Sequence, residues 1–176
     1  MTLWKQLVEQ DKANTDWQRG LAVSYDSVGE VLRSQSNVKE ALDAFQRALD
    51  IAQKLTQQDP TNADWQHVLG VSWERIGYVR QDQKNLTEAA EAYEYEQQIL
   101  GKLSGLNPDD AGLETDYAES KLDVAGVYRL LGRQPSALRL LEEAKNTLVD
   151  LQKRAPLSPS QQQILDRIEK ELSTLR

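Results

Sequence analysis

One histidine, His67, and no cysteine leave this 176-residue chain few groups with which to do chemistry. A metal centre or a charge relay needs a histidine that converges with partners, and a lone one is a polar residue near the start of its helix. Without cysteine there is no thiolate nucleophile, disulfide or Cys-ligated zinc. Carboxylates, lysines and tyrosines remain. Glu88, Glu91, Glu94 and Glu96 stand close together, and grouped carboxylates do acid–base work only in a cleft that moves their pKa values apart. On a helix of this spacing they read instead as a solvated outer face. Asp109-Asp110 reads as a helix cap. The glycines are scattered singly, with no phosphate loop, dinucleotide fingerprint or nucleophile elbow. The sequence therefore predicts binding rather than catalysis: no enzyme, no metal and no cofactor.

Charge narrows the partners. The formal net charge is −7, with 39% hydrophobic and 28% charged residues. An acidic chain without a Lys/Arg run has no basic patch for phosphates, so no nucleic acid is expected. No apolar run approaches the length of a membrane span, so no membrane partner is expected. Met1-Thr2-Leu3-Trp4-Lys5 lacks the pattern of a signal peptide, and the absence of cysteine suits a reducing compartment. The expected location is cytoplasmic.

The elements that must present any surface are set by an internal repeat. Sliding the chain by 48 places Asp16-Trp17-Gln18 on Asp64-Trp65-Gln66, Gly29 on Gly77, Ala41 on Ala89, Phe45 on Tyr93 and Asp59-Pro60 on Asn107-Pro108. A further step reaches Tyr117, Ser120, Ala125, Ala137, Leu141 and Pro156. A fixed spacing without insertions means one supersecondary unit stacked on its copies. The expected organisation is a single array: the tail of a preceding repeat over 1–12, repeats over 13–60, 61–108 and 109–156, and a capping helix over 157–176. Leu3, Leu7, Asp11 and Asn14 match the end of a repeat, which suggests an excerpt from a longer array.

Each repeat reads as two long helices. Trp17, Leu21, Tyr25, Val28 and Leu32 step by three and four, as do Ala41, Phe45, Ala48, Ala52 and Leu55. Eight helices are predicted, near 2–11, 15–34, 38–58, 62–82, 86–106, 111–131, 135–154 and 160–175. Short connections make neighbours antiparallel. Asn37 with Glu40, and Asn85 with Glu88, have the form of capping boxes, while Pro135 opens the next such helix by fixing φ. Asp59-Pro60-Thr61-Asn62 stops one helix and caps another. The last helix carries one apolar stripe, Ile164/Leu165, Ile168 and Leu172, which seals the stack.

These residues resemble the tetratricopeptide repeat, whose pattern is W-x2-L-G-x2-Y, then A-x3-F, then a late Pro. The second repeat has Trp73, Ile76-Gly77, Ala89 and Tyr93; the first has Tyr25, Val28-Gly29, Ala41, Phe45 and Ala48; the third has Val124-Ala125, Tyr128, Gly132, Ala137, Leu141 and Ala144. Small residues at Gly29, Gly77 and Ala125 let paired helices approach, and Phe45 and Tyr93 fill the space left. The repeat departs from the family's 34 residues by 14, about two turns on each helix. Arg80 stands where the family prefers Tyr, and Lys121 where it prefers Trp. The resemblance implies an all-α, right-handed superhelical solenoid of antiparallel hairpins. Long arrays of this kind look similar to those attached to large bacterial signalling and effector proteins.

The resemblance also implies where a ligand would sit. The first helix of each pair would line a concave face that binds an extended peptide or helix. Its residues would be Val23, Asp26, Glu30 and Arg33 in the first repeat, Val71, Glu74, Tyr78 and Gln81 in the second, and Glu119, Leu122, Gly126 and Arg129 in the third. The Lys/Asn carboxylate clamp of chaperone-binding members is missing, so a chaperone tail is not the expected ligand. Acidic residues with one tyrosine, softened by Arg33, Arg75 and Arg129, suggest a protein or peptide of basic or mixed charge. Trp17 and Trp65 are expected to pack between hairpins. The rival reading is a spacer or homo-oligomerisation module. Self-association would use the truncated N-terminal helix, where Trp4 would leave an apolar patch open, or the C-terminal helix.

Overall fold

The computed structural model describes residues 2–175, the side chain of Thr2 apart. Among these residues there are eight helices and no strand: α1 (Thr2–Gln10), α2 (Thr15–Ser34), α3 (Val38–Gln58), α4 (Ala63–Asp82), α5 (Leu86–Leu106), α6 (Ala111–Leu130), α7 (Gln134–Arg154) and α8 (Pro159–Leu175). The 3.6-residue periodicity thus places each element to within a residue or so. The chain divides into two compact units between Ile99 and Leu100. That division falls inside α5, the second helix of the second repeat.

The repeated polar junctions start the helices. The Asn14 side chain accepts from the Trp17 N–H at 3.0 Å, and Asn62 from the Trp65 N–H at 3.1 Å. Asp110 accepts from Gly112 and Leu113 N–H at 2.9 and 3.1 Å. Each satisfies donors that the first turn leaves open. Ser158 and Gln161 form a reciprocal capping box: the Ser158 N–H donates to the Gln161 side chain at 2.9 Å, and the Gln161 N–H to Ser158 Oγ at 3.3 Å.

The boxes expected at Asn37 and Asn85 are replaced by another device. The Asn37 side chain makes no cap bond. Its N–H donates back to the Leu32 carbonyl at 2.9 Å, and the Ser36 N–H to Arg33 at 2.9 Å. The Asn85 and Lys84 N–H groups bond Arg80 and Gln81 in the same way, and those of Arg133 and Gly132 bond Tyr128 and Arg129. This is the Schellman closure, and it already uses the N–H that a capping glutamate would reach. Glu88 turns instead to Arg80, 3.0 Å away. The closure demands a left-handed residue, filled by Ser36 (φ 63°), Lys84 (φ 64°) and Gly132 (φ 75°). The third hairpin has the residue type that suits this conformation; the first two do not. Lys84→Gly is therefore expected to stabilise the chain by about 1 kcal/mol, read as a higher urea midpoint with an unchanged m-value.

Helices of the first unit meet where a glycine faces an aromatic ring. A Cβ on Gly29 would stand 2.4 Å from the Phe45 ring, and one on Gly77 2.5 Å from the Tyr93 ring. Phe45, Tyr93, Ala41 and Ala89 are fully buried. One apolar cluster joins Leu21, Ala22, Tyr25, Ala44, Ala48 and Val68. A second joins Ala41, Phe45, Leu49, Ile76, Val79 and Ala92. Trp4 lies against Gly20, at 2.7 Å from the position of an added Cβ, and is half-buried; with Leu7, Trp17 and Val23 it still lines an open depression. Trp17 and Trp65 are half-buried rather than enclosed, because each sits in the first turn after its asparagine cap, at the end of a hairpin.

In the second unit Val124, Ala125 and Val127 of α6 are buried with Ala137, Leu141, Ala144 and Leu148 of α7. Ile164, Leu165, Ile168 and Leu172 of α8 are also buried, so the apolar stripe of the last helix is spent inside this unit. Lys121, in the position the family gives to Trp, is buried as well. Its ammonium stands 3.4 Å from the Glu143 carboxylate and 4.2 Å from the centre of the Tyr117 ring. A cation over an aromatic face with an acidic partner replaces the bulk and the apolar contact of an indole. Burial pushes the Tyr117 hydroxyl above its ordinary pKa, with the Glu143 charge acting in the same direction.

Candidate functional site

Helices α2 and α4 lie side by side in the first unit and enclose a cleft of about 350 Å³. Val23, Asp26, Glu30 and Val71 line it, as expected of first-helix residues, and Arg19, His67 and Arg75 join them. Val23 is exposed, so the cleft has an open apolar rim. Asp26 is 8% exposed, and its Oδ1 accepts no hydrogen bond.

Arg75 organises the floor. Its Nε is 3.5 Å from Glu30 Oε1, an ion pair without a hydrogen bond, and its Nη1 is 3.3 Å from Glu74 Oε2. One guanidinium thus faces three carboxylates, and Asp26 Oδ1 is left without a hydrogen bond. Burial pushes the Asp26 pKa up to about 7; Arg75 opposes this, while Glu30 and Glu74 add to it. Charge in a poorly solvated place is the dominant cause, as for other buried carboxyls.

Next to the cleft, four more expected residues come together. The Tyr78 hydroxyl donates to Glu74 Oε1 at 2.9 Å, and its ring lies 5.1 Å below the Arg33 guanidinium and 5.9 Å from that of Arg75. The same ring meets Tyr93 edge-on at 5.6 Å, and the Tyr93 hydroxyl donates to Gln81 Oε1 at 3.2 Å. Arg33 pairs with Asp82 across the two helices at 2.7 Å, which raises the guanidinium pKa further. Tyr78 is therefore held in place by bonds on three sides. That is the preorganisation a binding tyrosine needs.

In the second unit the corresponding residues are differently placed. Leu122 is buried at 5% and offers no surface, a correction to the expected groove position. Asp26, at the same phase of the first repeat, is buried to a similar degree, so this position turns toward the helix packing in both repeats. Glu119 pairs with Arg167 at 3.0 Å and Arg129 with Glu171 at 3.1 Å, both across to α8. Gly126 is half-buried, with nothing within 4 Å of an added Cβ. Of the acidic set near the start of α5, Glu91 is exposed but Glu96 is buried, so that helix does not present four solvated carboxylates.

Arg75 and His67 are functional candidates that face assignment by family pattern missed. Arg75 follows Glu74 directly, and a long side chain crosses to the neighbouring helix whatever its own face. Among the described residues no group of three His, Cys, Asp or Glu is placed to hold a metal ion. No helix among them is long and apolar enough to cross a membrane.

Antiparallel helix pairs recurring every 48 residues define a helical-repeat protein, all-α and solenoid-like. The tetratricopeptide repeat family model matches residues 21–60, from Leu21 in α2 to Pro60 after α3. No curated protein matches the sequence. Among solved structures the fold is similar to that of BtubC (BKLC) from P. vanneervenii, with a TM-score of 0.69 and 20% identity over 99% of this chain. It is also similar to the yeast histone chaperone Hif1, with a TM-score of 0.55 and 16% identity over 74% of this chain. The likeness spans 60% of the former and 54% of the latter.

Proposed function

We propose that the chain is a protein-interaction scaffold that takes an extended segment of a partner across the first helices of its repeats, centred on α2 and α4. The observation that carries this reading is the fixed Tyr78 beside an open cleft lined by Val23, Asp26, Glu30 and Val71. A rigid surface with an aromatic anchor and flanking charges lowers the ordering cost of holding a flexible segment. The tetratricopeptide repeat and the likeness to Hif1, described as a scaffold protein recruiting protein complexes to core histones, support the class of function. The uncompensated carboxylate favours a segment of basic or mixed charge. The work is binding rather than chemistry, and its proposed setting is the cytoplasm.

The test uses peptides selected from a random library for binding to the wild-type chain. Glu74→Lys combined with Tyr78→Ala reverses one charge and removes the anchor. It is expected to weaken the selected peptides at least about tenfold, roughly 1.4 kcal/mol or more, by calorimetric titration. Unchanged affinity would mean that these first helices are not the binding surface.

A further inference from the structure

A carboxylate at 8% exposure with an unbonded Oδ1 is an expensive feature for a chain to keep if nothing uses it. Asp26 lines the α2–α4 cleft, and the one guanidinium beside it is shared between Glu30 and Glu74. Glu30 Oε1 is likewise buried and accepts no hydrogen bond. The cleft therefore holds two acceptor oxygens, on two different residues, that accept no hydrogen bond, that of Glu30 having only the Arg75 guanidinium 3.5 Å away. Its remaining charged and titratable lining is Arg19 on α2, which is exposed, and His67 on α4, which is half-buried.

We infer that the cleft is a receptor for one lysine side chain of the bound segment, with Asp26 as its counter-ion and Val23 and Val71 as walls for its methylene stem. The inference rests on the scaffold reading above. The geometry selects lysine over arginine. An ammonium is a point charge with three donors that can reach oxygens of separate side chains, whereas a guanidinium fork matches the paired oxygens of a single carboxylate. The long stem packs along apolar surface while its charged head reaches the acid. Lysine binding requires the ionised form of Asp26, whose pKa burial has raised to about 7, so affinity rises with pH through neutrality. His67 also lines the cleft, so the pH dependence is assigned by substituting Asp26 itself.

The probe is N-acetyl-lysine methylamide, titrated into the 15N-labelled chain and followed by amide shifts, beside the norleucine and arginine analogues. At pH 8 the lysine probe is expected to shift Val23, Asp26 and Val71, and to bind at least about fivefold more weakly at pH 6, in line with the ionised fraction of a group near pH 7. Asp26→Asn, which keeps the shape and removes the charge, is expected to abolish most of that binding and of its pH dependence. Equal binding of norleucine, tighter binding of arginine, or undiminished binding by Asp26→Asn would each overturn the assignment. Library-selected peptides that keep full affinity for Asp26→Asn would overturn this inference alone. No library peptide binding to the wild-type chain would overturn both it and the scaffold reading.

Discussion

Phe45→Ala is expected to lower the free energy of unfolding by about 3–5 kcal/mol. Phe45 is fully buried, and its ring fills the space that Gly29 leaves between α2 and α3. Truncation opens a cavity lined by Ala41, Leu49, Ile76, Val79 and Ala92, all already small or fixed in their own contacts. A domain with about 5–15 kcal/mol of stability loses a large part of it. The pairing gives a sharper test. A Cβ on Gly29 would stand 2.4 Å from the Phe45 ring, so Gly29→Ala overpacks the wild-type chain by about 1–3 kcal/mol, set against about 1 kcal/mol of better helix propensity. In the Phe45→Ala background the overpacking vanishes and only the propensity gain is left. Urea titrations of the four chains should show a coupling of about 1–3 kcal/mol; simple additivity would mean that the ring and the glycine do not meet.

Asp26→Asn is the second large effect, and it should stabilise. The Asp26 pKa rises from 3.8 to about 7 on folding, chiefly through burial. The folded chain therefore holds this proton more tightly than the unfolded chain, and ionising the group costs stability. The penalty is absent below the unfolded value of 3.8, grows as pH rises and is complete above about 7. Its full size is on the order of 4 kcal/mol. Asparagine is neutral throughout, so the variant should exceed the wild type by that order at pH 8 and match it below pH 3.8. Carboxylates away from the cleft are common to both chains, so the difference between their stability–pH curves reports Asp26 together with its coupling to Glu30, Glu74 and Arg75. A difference that is flat from pH 3 to pH 8 would show that the group is solvated. A chain that keeps so costly a group in a cleft sacrifices stability at a surface, as binding sites commonly do.

The repeat made most of the fold legible. Gly29 with Phe45 and Gly77 with Tyr93 are complementary pairs that recur at 48 residues, and a recurring pair of small and large residues indicates a contact. Asn62 and Asp110 are legible as caps because each follows a helix stop, not by residue type alone, since the Asn37 side chain makes no such bond. The hairpin closures at Ser36 and Lys84 were not readable, because neither residue type advertises a left-handed backbone. In the candidate site, Val23, Asp26, Glu30 and Val71 do share one cleft, and Glu74, Tyr78, Gln81 and Arg33 are brought beside it. What escaped was the pairing within it. Face assignment by a shorter family unit put Leu122 on the surface, whereas it is buried, as Asp26 is at the same phase. Arg75 and Lys121 reach partners on neighbouring helices through long side chains, and the spacing along one helix carries no record of such reach.

The most direct measurement of the scaffold reading is amide-shift mapping of the wild-type chain with a library-selected peptide. The account predicts that the largest shifts fall on α2 and α4, at Val23, Glu30, Val71, Glu74 and Tyr78. Shifts confined to the exposed residues of α3, such as Lys39, Glu40 and Asp43, or the absence of any peptide binding tighter than about millimolar, would contradict it.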